Sequence, residues 1–208
     1  MPAPLRFRLA RFLLRLILGT LLRVRVEGWD RLPPNGPYLL ACNHLSWVDP
    51  FLLLGWLPAS PRVHFLGRRS AVYNRAWKRW ILRVMGGVIP VETGDLGHVS
   101  EAVGAVLRRG GVVAIFPEGR TGAAEGRLQP LRRGVAHFAA GHQVPVVAVG
   151  LAGTLELWRG KPVTIRVGRT LPPAEGLSAD RPDDLAAEMA EIESALAEAL
   201  PAYRDPGR

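Results

Sequence analysis

YLLACNHLSWVDPFLLLGW, residues 38–56, is an apolar segment with four polar side chains gathered near its middle: Asn43, His44, Ser46 and Asp49. YLLACN is a continuous run of the kind that fills a strand covered on both faces, as in a parallel sheet. PFLLLGWL reads as a helix. Asp49 ahead of Pro50 is a helix-start signal, with Asp at the N-cap and Pro at the first helical position. A buried strand, a polar turn and a helix make one unit of an α/β fold. The polar groups of the turn stand in an apolar setting, where they are costly unless paired.

The same alternation runs outward in both directions. Upstream, LRVRVEG (22–28) alternates as a strand and RLPPNGP (31–37) is a turn. Downstream, RVHFLG (62–67), GVIPV (87–91), VVAIFPE (112–118) and VPVVAVGL (144–151) read as strands, and VTIRVG (163–168) as an edge strand. Helices are predicted over 74–86, 95–109, 131–141 and 182–200, the third of these stretches beginning at Leu131. The fold class is therefore α/β, a mostly parallel sheet flanked by helices. In such sheets the active site lies beyond the carboxyl ends of the strands. Asn43–His44 follows one strand and Phe116–Pro117–Glu118 another, so the two polar clusters can meet at one sheet edge.

The chain has 208 residues, 48% hydrophobic and 22% charged, a globular composition of one-domain size. Its net charge of +9 is unevenly placed: residues 171–200 hold eight acids and one arginine, and residues 1–170 carry +15. Such a surface attracts anions, although an arginine-rich genome explains the same bias. Cys42 is the sole cysteine, which excludes an internal disulfide. At the N-terminus, Arg8, Arg11 and Arg15 share one helix face, with Leu9, Phe12, Leu13, Leu16 and Ile17 largely on the other. This is the pattern of a basic amphipathic helix lying in a membrane interface; packing on the protein's own core is the other reading. The longest uncharged stretch, Leu16–Leu22, is seven residues, far short of the roughly 20 a spanning helix needs. Residues 1–22 are thus expected to be a membrane-contact helix and 23–208 the catalytic domain.

A five-residue spacing on one helix would put His44 and Asp49 about 140° apart. Here a strand end and a turn separate them, so they can face each other. An aspartate at Nδ1–H fixes the imidazole tautomer and leaves Nε2 as a base. Asp49 therefore has two readings, helix cap and imidazole partner. No G-x-S-x-G elbow is present, Cys42 lies within a strand, and Ser46 has no evident oxyanion partner. The simplest scheme needs no protein nucleophile: His44 deprotonates a substrate hydroxyl, which attacks a bound acyl donor. The other histidines form no metal-ligand spacing, and no metal or cofactor is expected.

NHLSWVD (43–49) matches the NHx4D block of the glycerolipid acyltransferases, the family of 1-acylglycerol-3-phosphate acyltransferase. GGVIPVET (86–93), FPEGRT (116–121) and VPVVAVGLAGT (144–154) resemble the family's later blocks, in order and at normal spacing, over residues 22–170. The resemblance implies His44 as general base and Asp49 as its orienting partner. It implies that Glu118 and Gly119 meet the glycerol backbone of the acceptor and that Arg120, with Thr121 beside it, faces the acceptor phosphate. Pro145 and its strand would support the site. The implied co-substrate is acyl-CoA or acyl carrier protein, with no cofactor. The implied acceptor is a lysophospholipid, foremost 1-acyl-sn-glycerol-3-phosphate, giving phosphatidate. A peripheral position on the cytoplasmic face of a membrane, with the lipid surface as partner, completes the expectation.

The chain departs from the family at Ala148, where a proline is usual, and twice at arginines. Arg120–Thr121 inverts the usual Thr-Arg, and Thr93 stands where the middle block usually ends in arginine. Arg120, Arg127 or Arg68, the last near a usual lysine, would then compensate, or the acceptor is a different one such as a lyso-ornithine lipid. A non-catalytic basic domain that binds membrane or nucleic acid is the competing class. No nucleic-acid motif occurs, and acids beside the expected cleft would repel a phosphodiester backbone, so no nucleic-acid partner is expected.

Overall fold

The structure, a computed structural model, describes residues 4–68, 87–91 and 96–204. The helix expected over 74–86 and Thr93 lie outside the described residues. In chain order the elements are α1 (Leu5–Leu21), β1 (Leu22–Glu27), β2 (Tyr38–Cys42), α2 (Asp49–Trp56), β3 (Val63–Arg68), β4 (Val88–Val91), α3 (Leu96–Arg108), β5 (Val112–Ile115), α4 (Gly134–His142), β6 (Val146–Ala152), β7 (Lys161–Leu171) and α5 (Pro182–Ala199). Among the described residues, seven strands form one sheet in the order β1-β7-β6-β2-β5-β3-β4. The five strands from β6 to β4 are parallel, β7 is antiparallel to β6, and β1 is parallel to β7. The mostly parallel α/β architecture is as the alternation of elements predicts.

The strand expected at the edge, VTIRVG, lies inside the sheet as part of β7, and β1 takes the edge. Charge explains the exchange. β1 carries Arg23, Arg25 and Glu27 at alternate positions, which suits an edge facing water, whereas Val163, Ile165 and Val167 of β7 are buried. The period-two alternation of the central strands divides the core. Leu40, Cys42, Val147 and Val149 pack under α2 on one face; Leu39, Ala41, Val146 and Ala148 pack under α3, α4 and α5 on the other.

Two helices depart from expectation. α4 starts at Gly134 rather than near Leu131, because the Arg132 amide donates to the Pro117 carbonyl at 2.8 Å and holds residues 131–133 against the turn after β5. On α1 the faces are reversed relative to a solvent-facing basic stripe. The Arg11 guanidinium donates to the Leu54 and Leu57 carbonyls at the end of α2, and Arg15 lies over the Trp56 ring at 5.7 Å. The apolar row points outward: Leu5, Leu9, Phe12, Leu13, Leu16, Ile17 and Leu21 are all exposed, Phe12 by 63%. No helix among the described residues is long and apolar enough to cross a membrane.

On α5, Glu188 is buried and its Oε1 has no partner among the described residues. Burial, and then the nearby Glu191 charge, push its carboxyl pKa up. The folded state therefore holds this proton more tightly than the unfolded chain. Stability falls as pH rises from the ordinary carboxylate range through the raised value. Glu188→Leu is expected to raise the melting temperature at pH 7.5, by about 2–4 °C for each kcal/mol gained in a chain of this size. The gain should shrink toward pH 4, which thermal melts at the two pH values would show.

Candidate active site

β2 and β5 are neighbours, with Ala41 opposite Ile115, so the turns that follow them share the carboxyl edge of the sheet. The turn after β2 is organised by one carboxylate. Asp49 Oδ2 accepts hydrogen bonds from the amides of Leu45 (2.7 Å) and Ser46 (2.8 Å) and from His44 Nδ1 (2.9 Å). Asp49 lies in the first turn of α2 and caps nothing; Val48 is the N-cap and makes no side-chain cap bond. The helix-cap expectation gives way because the carboxylate, turned back toward the strand, serves two loop amides and the imidazole at once. It is fully buried, and Oδ1 has no partner among the described residues.

A carboxylate can only accept, so Nδ1 bears the hydrogen and Nε2 presents its lone pair. Nε2 is not hydrogen-bonded among the described residues, and the His44 side chain is 19% exposed. The ring stacks on Phe116, centroids 4.2 Å apart, and Phe116 stacks in turn on Phe65. The imidazole is thus clamped by an anion at one nitrogen and an aromatic face at its side, while the second nitrogen stays available.

Glu118 fixes the main chain of the same residue. Its Oε1 accepts from the His44 amide at 2.8 Å and its Oε2 from the Gln129 amide at 2.9 Å; the Gly122 amide donates to the His44 carbonyl at 2.6 Å. Burial raises the Glu118 pKa against the lowering effect of those two amides. The carboxylate expected to meet the acceptor is therefore turned inward, onto the backbone that carries His44. Gly119 follows at φ +66°, and a Cβ there would fall 2.5 Å from Arg132 Nε. That guanidinium lies against the turn after β5. Arg120 and Thr121 are exposed at its rim, with Arg120 donating to Gln129 Oε1 at 3.2 Å. The fold brings His44, Asp49, Glu118 and Gly119 together and leaves Arg120 and Thr121 at the periphery. Arg68 closes β3, and its side chain lies outside the described residues. Cys42 faces the core, where burial and the Asp49 charge raise its thiol pKa; it offers no thiolate.

Three residues with no role expected from the sequence complete the site. Asn43 exchanges two hydrogen bonds with the main chain of Leu151, at 3.0 and 2.6 Å, and so joins the ends of β2 and β6. The Glu125 carboxylate accepts from the amides of Gly153 (2.9 Å) and Leu155 (3.0 Å). Arg132 is the third. Asn43 could have been suspected from its place beside His44. Glu125 sits in a non-periodic segment and Arg132 in the first turn of the helix expected from Leu131, and no motif marks either.

The profile of the acyltransferase family matches residues 23–152, more than half of the chain and the whole of this edge from β1 to β6. The chain belongs to the acyltransferase family. The chain is 32% identical over 177 residues to 1-acyl-sn-glycerol-3-phosphate acyltransferase alpha of Bos taurus, a match covering 80% of this chain and 58% of the relative. The chain thus spans less than two thirds of that relative's length. It is 35% identical over 122 residues to the lyso-ornithine lipid O-acyltransferase of Pseudomonas aeruginosa, covering 57% of this chain and 43% of that one. The crystal structure of the 1-acyl-sn-glycerophosphate (LPA) acyltransferase from Thermotoga maritima superposes with a TM-score of 0.67 at 18% identity, over 93% of this chain and 79% of the other. The chain shares that fold.

Proposed function

We propose that this acyltransferase moves a fatty acyl group from the thioester of acyl-CoA or acyl carrier protein to the hydroxyl of a lysophospholipid at a membrane surface, with 1-acyl-sn-glycerol-3-phosphate as acceptor and phosphatidate as product. The observation that carries the reading is the His44–Asp49 pair, with Nε2 left unengaged. His44 Nε2 takes the proton from the acceptor hydroxyl as its oxygen attacks the thioester carbonyl. The tetrahedral intermediate collapses, the C–S bond breaks, and the imidazolium returns the proton to the departing sulfur. Asp49 stays ionised and stabilises the imidazolium. Glu118 is a positioning residue that holds the His44 backbone. The buried, neutral Cys42 supports a route without an acyl-enzyme. The outward apolar row of α1 supports peripheral attachment, on the cytoplasmic face where such donors occur.

Arg120, which follows Gly119, and Arg132, whose side chain lies against Gly119, are the cations proposed for the acceptor phosphate. A lost charge-assisted hydrogen bond costs about 1.5–3 kcal/mol, so Arg120→Ala or Arg132→Ala should lower kcat/KM for lysophosphatidate roughly tenfold to more than a hundredfold. Lysine at either position should restore only part, since an ammonium cannot make the bidentate contact. The inverted Arg120–Thr121 and the likeness to the Pseudomonas enzyme favour a second reading, a lyso-ornithine lipid acceptor. Thiol release from acyl-CoA over a panel of lysolipids tests both readings. Acceptor-dependent release with lysophosphatidate supports the first, and release with lyso-ornithine lipid alone, with both alanine variants harmless, replaces it by the second. No acceptor-dependent release from any donor would defeat the proposed activity.

A further inference from the structure

The junction of α1 and β1 holds a cleft that the proposed reaction does not use. It is lined by Gly19, Thr20, Leu21, Arg23, Arg159 and Gly160, and its floor is tied by the Gly160 amide donating to the Leu21 carbonyl at 2.7 Å. Arg23 and Arg159 are exposed, and neither pairs with an acid among the described residues. The neighbouring Lys161 is no rival for an anion, because its Nζ is buried 3.3 Å from the centre of the Trp158 ring. Among the described residues, the cleft's cations are therefore the two arginines.

Sheet topology places this cleft on the catalytic edge. Leu22 pairs with Lys161 at the start of β7, and β7 begins where β6 ends, with Ala152 opposite Thr164. β6 runs parallel to β2, whose carboxyl end leads into His44. β1 is three strands from β2, about 14 Å at the usual strand spacing. The surroundings are apolar as well as basic. Leu21 is 47% and Leu157 39% exposed beside the arginines, and Leu21 closes the outward apolar row of α1. A soluble phosphate has no use for exposed leucines; a phospholipid offers an anion and hydrocarbon at that spacing.

We propose that Arg23 and Arg159 form a binding site for the headgroup of an anionic phospholipid in the bilayer, which anchors the catalytic edge to the membrane at the end of α1. The site is separate from the acceptor site and shares with the proposed function only the premise that the chain works on a bilayer. The guanidinium forks hold the phosphate, Leu21 and Leu157 enter the hydrocarbon margin, and the mouth beside His44 is held against the surface that supplies acceptors.

Vesicle flotation of the full chain tests this, with phosphatidylcholine vesicles prepared with and without phosphatidylglycerol. Arg23→Gln and Arg159→Gln should each weaken partitioning onto the anionic vesicles roughly fivefold. The Arg23→Glu/Arg159→Glu pair should weaken it well beyond tenfold, and none of these variants should alter partitioning onto phosphatidylcholine alone. Arg109→Glu makes the charge change of a single glutamate variant at the opposite edge of the sheet and should have far less effect than Arg23→Glu. An equal loss in Arg109→Glu, or no loss in the glutamine variants, overturns the site. So does release of the wild type by glycerol phosphate at matched ionic strength, which would make the ligand a soluble anion. Failure of the wild type to bind either vesicle defeats the membrane premise itself, whereas equal wild-type binding to both vesicles defeats the headgroup site alone.

Discussion

His44→Ala is expected to lower kcat/KM by about two to four orders of magnitude, the range over which a positioned general base acts, and to leave the fold in place. The ring makes one hydrogen bond to a carboxylate and one stacking contact, while the backbone bonds of residue 44 to Glu118 and Gly122 do not need the imidazole. Near-wild-type thiol release in the alanine variant would remove the proposed base. Asp49 separates two effects. Asp49→Asn keeps an oxygen for the Leu45 and Ser46 amides but removes the charge that stabilises imidazolium, so turnover should fall severely with a modest change in melting temperature. Asp49→Ala also strips two buried main-chain donors of their acceptor, at about 1–3 kcal/mol each, and should melt well below the asparagine variant. If the asparagine variant turned over normally, Asp49 would be only a loop organiser.

The second large effect is expected at the membrane. Leu9, Phe12 and Leu16 are each more than half exposed on the outward face of α1. Full burial of such a side chain is worth about 1.5–3 kcal/mol, and about half of that remains to be gained from the present exposure. Replacing all three with serine should therefore reduce partitioning onto neutral vesicles by roughly two to three orders of magnitude. Stability in solution should change much less, because these side chains lie outside the buried core. Unaltered flotation would end the proposed role for α1. Arg11 should behave in the opposite way. Its bonds to the Leu54 and Leu57 carbonyls tie α1 to α2, so Arg11→Ala should lower the melting temperature while the apolar face keeps its lipid affinity.

The catalytic edge and the arginine-bearing loops differ in how legible they are. The NHx4D spacing and its place after a buried strand were enough to bring His44 and Asp49 face to face, because a strand end and a tight turn leave the chain few alternatives. Glu118 was visible as a polar residue after the second strand, but not its inward turn, since sequence does not reveal which amides a buried carboxylate will find. Arg132 and Glu125 were invisible: their partners are 13 to 30 residues away, and local periodicity carries nothing at that range.

What the sequence by itself determined is the set of properties that follow from local pattern. Continuous apolar runs made buried strands, 3.6-residue periodicity made helices, the order of blocks made the family, and the imbalance of charge made the chain basic. Tertiary structure alone decided the choices between equally good local answers. VTIRVG could have been an edge, until β1 with its alternating charges took the solvent side. Asp49 could have capped a helix, until its carboxylate met three donors from one turn. The helix at the N-terminus could have turned either face inward; the free carbonyls at the end of α2 and the Trp56 ring drew Arg11 and Arg15 to the protein and left the leucines outside. Each decision depends on partners distant in sequence, whose pairing energies exist only once the sheet has brought them together.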